Sequence, residues 1–387
     1  MQEEQNKQLN PKAGQLRRGY TTGTCAAAAA KAAAMLALGE KIKNIQVDTP
    51  KGIPLTLMLQ DIQVGQKKAS CAIQKDSGDD PDITHGILVY GEVELLDQPG
   101  PILIDGGTGV GRVTLPGLAC DLGQAAINPV PRKMIGQMVS QAFDELGYEG
   151  GAKVTISIPK GEELARRTYN PRLGIEGGLS VLGTSGIVEP MSEQALIDTI
   201  KVEMDVQKAL GAEYLVITPG NYGEKFLKEH FLQGEVYSVK CSNFIGDSLD
   251  YAEGCGFKGI LFVGHIGKLV KVAGGIMNTH SKYADARMEI LSAHAARLGA
   301  EAELIEGMMN AVTTDSAYEL LEAYSPELKD RVLQALMDKI EFHLKSRTHQ
   351  QMEIGAVMFS NKHGYLGKTS QVDAILEKIE SSLAENK

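Results

Sequence analysis

The sequence has no tryptophan, and its 387 residues include only 8 phenylalanines and 12 tyrosines. Proteins that bind single-stranded nucleic acid combine stacking aromatics with a cationic groove. Here Asp and Glu outnumber Lys and Arg by 49 to 39, for a formal charge of −10, so neither ingredient is abundant. Cysteine is also sparse. Cys25, Cys71, Cys120, Cys241 and Cys255 form no C-x-x-C pair and no Cys/His spacing suited to zinc, which implies neither a resident metal nor a disulfide framework. No stretch approaches the ~18 consecutive apolar residues of a membrane span. Arg17-Arg18 and the alanine-rich run 25–38 imitate an export signal, but alanine is weakly apolar and Lys31 interrupts the run. The expectation is a soluble, cytoplasmic protein with no membrane and no nucleic acid among its partners.

Glycine is what the chain has in excess, at 43 residues or about 11% against a usual ~7%. It gathers in loops at 105–111, 174–186, 220–223 and 264–275, each bounded by apolar segments. The length suits two domains with a core each. Residues 1–16 carry no apolar period and read as a disordered tail. Residues 17–175 read as an α+β domain, with an Ala-rich helix at 25–38 started by Thr22-Gly23-Thr24 and ended at Gly39. A strand cluster and a helix from about Pro131 to Leu146, ended by Gly147, follow. Residues 176–387 alternate strands such as Tyr214–Thr218 (YLVIT) and Gly259–Val263 (GILFV) with helices. That alternation predicts a Rossmann-like parallel sheet, so the fold class is α/β.

Several motifs carry chemistry. Asp105-Gly106-Gly107-Thr108-Gly109-Val110-Gly111 fits the D-x-G-x-G-x-G loop of S-adenosylmethionine sites. Residues 112–116 look extended rather than helical, however, so the usual Rossmann context fails. A glycine turn and a binding loop of another architecture stay open. Thr21, Thr22, Gly23 and Thr24 open a helix and offer either a cap or an anion site. The acidic segment 76–86 holds Asp79 and His85, which are candidates for proton transfer, as is His265. Gly220-Asn221 and Gly264 to Lys268 follow two strands of the second domain, where parallel sheets bind ligands.

Longer motifs resemble one known family. They are Arg18 to Cys25, Gly78 to Gly86, Gly109 to Thr114, Ala126 to Arg132, Thr168 to Ile175, Gly183 to Ser192, Gly264 to Lys268 and His280 to Lys282. In order and content these are similar to the cobalt-precorrin-5B C(1)-methyltransferases of anaerobic cobalamin biosynthesis. The resemblance implies methyl transfer from S-adenosylmethionine to ring carbon C1 of a cobalt-containing tetrapyrrole, with cobalt entering only as part of the substrate. Neighbouring pathway enzymes and a second copy of the chain are candidate partners.

Such a substrate carries acetate and propionate side chains, which a protein of charge −10 repels unless its pocket is locally basic. The expected substrate contacts are Thr21–Thr24, Arg112, Asn128, Arg132, Arg172, Lys268, His280 and Lys282, with the macrocycle between the domains. For the cofactor, Gly220, Asn221, Gly264 and Gly267 compete with Gly107 and Gly109. Without the resemblance, a non-catalytic carrier of a corrinoid intermediate and a nucleotide-dependent α/β enzyme remain as alternatives.

Overall fold

Alanine decides how the first unit is built. In the computed structural model, which describes residues 6, 9–11, 14–231 and 236–385, helix α1 (Thr22–Ala37) is buried on every side. Ala26–Ala30 and Ala32–Ala34 expose no surface, as an all-apolar helix requires. Lys31 is accommodated by Gln46 O and Glu145, each at 3.5 Å from its ammonium.

One flank of α1 is a six-stranded sheet of β1 (Asn44–Asp48), β2 (Pro54–Gly65), β3 (Lys68–Gln74), β4 (Leu88–Leu96), β5 (Ile102–Gly106) and β6 (Gly151–Ser157). The order is β1-β2-β3-β4-β6-β5, antiparallel except between β5 and β6. The other flank is α2 (Pro129–Leu146), which opens on prolines and ends at left-handed Gly147. Small residues let backbones touch: a Cβ on Gly91 of β4 would lie 2.5 Å from Ala30 N.

Three two-residue pairings tie later segments onto this body. Gly19–Tyr20 pairs with Ile187–Val188, Arg112–Val113 with Ile175–Glu176, and Gly109–Val110 with Gly178–Leu179. Contacts accordingly divide the chain at 193/194 rather than at the 175/176 read from sequence. Of the tail expected at 1–16, Asn6 and Leu9 are buried, and Asn6 exchanges two hydrogen bonds with the Thr56 backbone. Residues 1–5, 7, 8, 12 and 13 lie outside the described residues.

The second unit has a sheet of β7 (Tyr214–Thr218), β8 (Ser238–Lys240), β9 (Gly259–His265), β10 (Glu353–Ser360) and β11 (Gly364–Lys368), ordered β8-β7-β9-β10-β11. All neighbours are parallel except the hairpin β10–β11. The helices are α3 (Glu193–Ala209), α4 (Asn221–His230), α5 (Ile245–Gly254), α6 (Ile266–Ala273), α7 (Arg287–Arg297), α8 (Ala302–Met309), α9 (Thr314–Tyr324), α10 (Pro326–Arg347) and α11 (Val372–Glu385). Val216, Leu261, Val263 and Val357 face a core with α4 and α11, while Leu215, Ile217, Ile260 and Phe262 face α5, α6 and α10. Burial on both faces explains the unbroken apolar runs. The chain steps outward from β7 through α4 to β8, then returns through α5 past β7 to β9. Strand order reverses between β7 and β9, which opens a crevice at their carboxyl ends. No helix among the described residues is long and apolar enough to cross a membrane.

Candidate functional site

The reversal point is framed by the loops after β7, β8 and β9. Lys268, in the first turn of α6, reaches across them: its ammonium donates to Pro219 O at 3.3 Å and Ser242 O at 3.0 Å. Among the described residues it pairs with no carboxylate. Burial holds its pKa below the ordinary lysine value.

Beside it, His265 ends β9 and caps α6, Nδ1 accepting from Gly267 N at 3.1 Å. Burial lowers its pKa too, and Asp315 opposes that shift from the start of α9. Helix α4 begins without a side-chain cap at Gly220, where an added Cβ would meet nothing within 4 Å. Thr218, at the end of β7, is fully buried and its hydroxyl has no partner. Gly223 and Gly264 are different: a Cβ would lie 2.6 Å from Val263 O and 3.2 Å from Leu269 Cγ, respectively.

The loop at 276–286 is docked to the same edge. Thr279 N donates to Asn243 O at 3.0 Å, and the buried Lys271 donates to Thr279 O and Ala284 O at 3.1 and 2.8 Å. His280 and Lys282 are exposed on it. Hydrogen bonds within this unit thus join Lys268 to the loops after β7 and β8, and tie the loop that carries His280 and Lys282 to Asn243.

In the first unit, two expected ligand loops are closed by the protein itself. At the start of α1, Gly23 N donates to Leu182 O at 3.0 Å and Thr24 N to Thr21 Oγ1 at 3.2 Å. The Thr24 hydroxyl donates to Gly186 O at 2.7 Å, and Thr21 and Thr22 are buried. The segment 182–186 thus occupies the place of an anion on Thr21–Thr24.

The 105–111 loop is filled likewise. A Cβ on Gly107 would lie 2.4 Å from Ser157 Oγ, and one on Gly109 (φ +72°) 1.8 Å from Ile158 O. The Cβ directions of Gly107 and Gly109 are thus filled by the protein's own packing. The acidic loop is also engaged internally. Asp79 accepts from Arg17 N at 2.6 Å, Asp80 from Met191 N at 2.8 Å, and Asp76 forms a two-point ion pair with Arg17. His85 accepts from Ser77 N on Nδ1 at 3.1 Å.

Two hollows in this unit are open among the described residues, one of them bounded by predicted site residues. The latter, about 400 Å³ in volume, is lined by Ile104, Asp105, Arg112, Gly123, Gln124, Ala125 and Arg132. Two predicted arginines meet there, whereas Asn128 starts α2 and Arg172 is exposed on the turn Asn170–Leu173, neither of them lining it.

Residues 9–190 match the family model described as CbiD, and residues 278–370 match that of the CbiD C-terminal domain. A protein of Ruminiclostridium cellulolyticum named cobalt-precorrin-5B C(1)-methyltransferase is 48% identical over 95% of this chain and 96% of its own. The chain belongs to the CbiD family. Relatives of the same name from Alkaliphilus metalliredigens and Listeria monocytogenes are 45% and 42% identical over 95% and 94% of the chain, and 96% of each relative. A crystal structure titled as the cobalamin biosynthesis protein cbiD from Archaeoglobus fulgidus is 29% identical, covering 70% of this chain and 84% of its own, with a TM-score of 0.38.

Within this member of the family, the candidate histidines share one arrangement. His85, His265 and His280 each accept a main-chain N–H on Nδ1, from Ser77, Gly267 and Lys282. A neutral ring held in this way carries its hydrogen on Nε2 and presents a donor, not a base. His85, Asp79 and His265 are therefore local fasteners in this conformation.

Ser242, Asn243 and Asp315 were not among the sequence candidates. The rule that picked the loops after β7 and β9 applies equally to the loop after β8, so Ser242 and Asn243 had a signal. Asp315 had none, because it arrives from a helix 50 residues beyond His265 in the chain.

Proposed function

We propose that the protein methylates ring carbon C1 of cobalt-precorrin-5B to give cobalt-precorrin-6A in the anaerobic cobalamin pathway. The observation that carries this is near-full-length kinship: 48% identity across 95% of the chain to a relative of that name. The five cysteines are all free, which suits the cytoplasm we assign to it.

We infer S-adenosylmethionine as the methyl donor, at the β7–β9 crevice. Support comes from the unpartnered buried hydroxyl of Thr218, the open space before Gly220, and the strand reversal itself. When bound, S-adenosylmethionine supplies a methyl group on a sulfonium that a ring carbon displaces in line. Such a transfer asks the protein for alignment and exclusion of water rather than for a nucleophile. Lys268 holds the three crevice loops together and adds positive charge beside the N-termini of α4 and α6, a setting that favours a carboxylate. His265 offers an Nε2 hydrogen as a donor. On the substrate side, Arg132 and Arg172 of the first unit supply positive charge in a chain whose formal charge is −10.

The test is incubation with labelled S-adenosylmethionine and anaerobically prepared substrate, followed by mass analysis. One added methyl is expected. Tight tetrapyrrole binding with no methyl transferred identifies a carrier instead, and binding of a dinucleotide in place of S-adenosylmethionine identifies a nucleotide-dependent enzyme.

A further inference from the structure

We propose that the hollow beside Arg132 is a carboxylate-binding subsite that takes an acetate or propionate side chain of the tetrapyrrole. The inference rests on the methyltransferase reading for the identity of the ligand and on the first unit alone for its geometry.

The charges in the hollow are unequal in their commitments. Arg112 is spoken for: its guanidinium grips Asp105 at 2.8 and 2.9 Å and also donates to Gly106 O at 3.0 Å. That contact holds the Asp105 carboxyl below the usual carboxylate range, so the pair is a fixed, neutral unit. Arg132 is not matched. One guanidinium N–H donates to Ile104 O at 2.8 Å, and among the described residues no carboxylate pairs with it. A guanidinium has five N–H groups in a planar fork shaped for a carboxylate. The hollow therefore carries one net positive charge, presented by an arginine with donors to spare.

Its walls are rigid. A Cβ on Gly106 would lie 2.7 Å from Val110 and 2.8 Å from Ala125, so the loop under Asp105 cannot shift without moving packed neighbours. The prolines that open α2, Pro129 and Pro131, remove two main-chain donors at that helix start. Few main-chain donors therefore compete there with the Arg132 side chain for an anion. The volume, about 400 Å³, lies at the low end of small-molecule pockets and suits a side-chain carboxylate with its methylene stem.

The experiment compares two stable corrinoids by titration calorimetry: dicyanocobyrinic acid, with free side-chain carboxylates, and dicyanocobinamide, with amidated ones. Wild type is expected to favour the acid. Arg132→Met should weaken the acid by about tenfold, the loss of a charge-assisted hydrogen bond, and leave the amide unchanged. Arg132→Lys should fall between, keeping the charge and losing the fork. Asp105→Asn gives the opposite sign: removing the fixed carboxylate should tighten the acid, which a merely structural role for Asp105 would not do. Thermal melting of each variant confirms that it folds. If folded Arg132→Met and Asp105→Asn leave the acid-to-amide ratio unchanged while wild type binds the acid, the subsite is overturned and the methyltransferase reading stands. If wild type binds neither corrinoid, or binds both equally, the subsite is overturned, and the methyltransferase reading is decided separately by the labelled-methyl experiment.

Discussion

The glycine loop at 105–111 and the pair of loops at 219–223 and 264–268 look alike in sequence, yet they do opposite things. In the first unit, Gly106, Gly107, Gly109 and Gly111 are small because Val110, Ser157, Ile158 and Ile175 fill the space beside them. In the second, Gly223 and Gly264 serve packing, but Gly220 faces open space at an uncapped helix start. A missing Cβ records a close approach without saying what approaches. In the antiparallel unit it is the protein itself, through side chains of Val110, Ala125, Ser157 and Ile175 and the backbone of Ile158 and Gly178. In the parallel unit nothing lies within 4 Å of a Cβ on Gly220. Motif spacing singled out the 105–111 loop, whereas the position of Gly220 and Gly264 after strands singled out the other pair.

The largest expected effect breaks the comparison in one step. Gly109→Ala places a methyl 1.8 Å from Ile158 O at a φ of +72°, and should cost about 3 kcal/mol or more from overpacking and left-handed strain together. Gly220→Ala introduces a methyl with no neighbour within 4 Å on extended backbone, so its unfolding midpoint should match wild type. Urea unfolding followed by circular dichroism measures both. Equal midpoints for the two variants would remove the distinction between filled and open loops. Gly220→Val then sharpens it: the fold should persist while affinity for S-adenosylhomocysteine falls by about tenfold.

Lys268→Met comes next in size. It leaves Pro219 O and Ser242 O without their shared donor, and the crevice loops lose the group that spans them. Affinity for S-adenosylhomocysteine should drop about tenfold, in line with a lost charged hydrogen bond. Unchanged affinity in a folded variant would place the cofactor elsewhere.

Much of the fold was legible, for reasons that can be named. Tyr214–Thr218 is a doubly buried strand and reads as one from its own five residues. Helix α1 announced itself by alanine and ended before Gly39 as expected, but it began at Thr22 behind an N-cap at Thr21. The cap fell on the first threonine because Thr24 bonds to Gly186, a partner 162 residues away. Strand β11 was missed: Gly364-Tyr365-Leu366-Gly367-Lys368 has no apolar alternation of its own and becomes a strand only beside β10. The placement of Gly220 and Lys268 just beyond strand ends was legible, because it depends on strand order. The site was illegible where a remote segment decided the matter, as with Leu182 and Gly186 over α1 and Ile158 against Gly109.

The smallest effect separates the two roles open to His265. Its Nδ1 accepts from Gly267 N, and the side-chain oxygen of asparagine can replace that atom. His265→Asn should therefore keep the α6 cap, remove the Nε2 donor and remove the titration. Burial holds the histidine below its ordinary value of 6.5. Between 6.5 and that lowered value, the unfolded chain binds a proton that the folded chain does not, so stability falls as pH drops through the window. The variant should lose less stability than wild type between about pH 7 and pH 5. Some slope should remain, because burial lowers His294 and His343 as well. Methyl transfer should stay within about threefold of wild type, whereas loss of a true general base costs on the order of 100- to 10,000-fold. A folded His265→Asn protein with a loss of that size would make His265 the proton acceptor. Its bond to Gly267 would then have to open in the loaded enzyme, and the second unit's edge would be a catalytic surface.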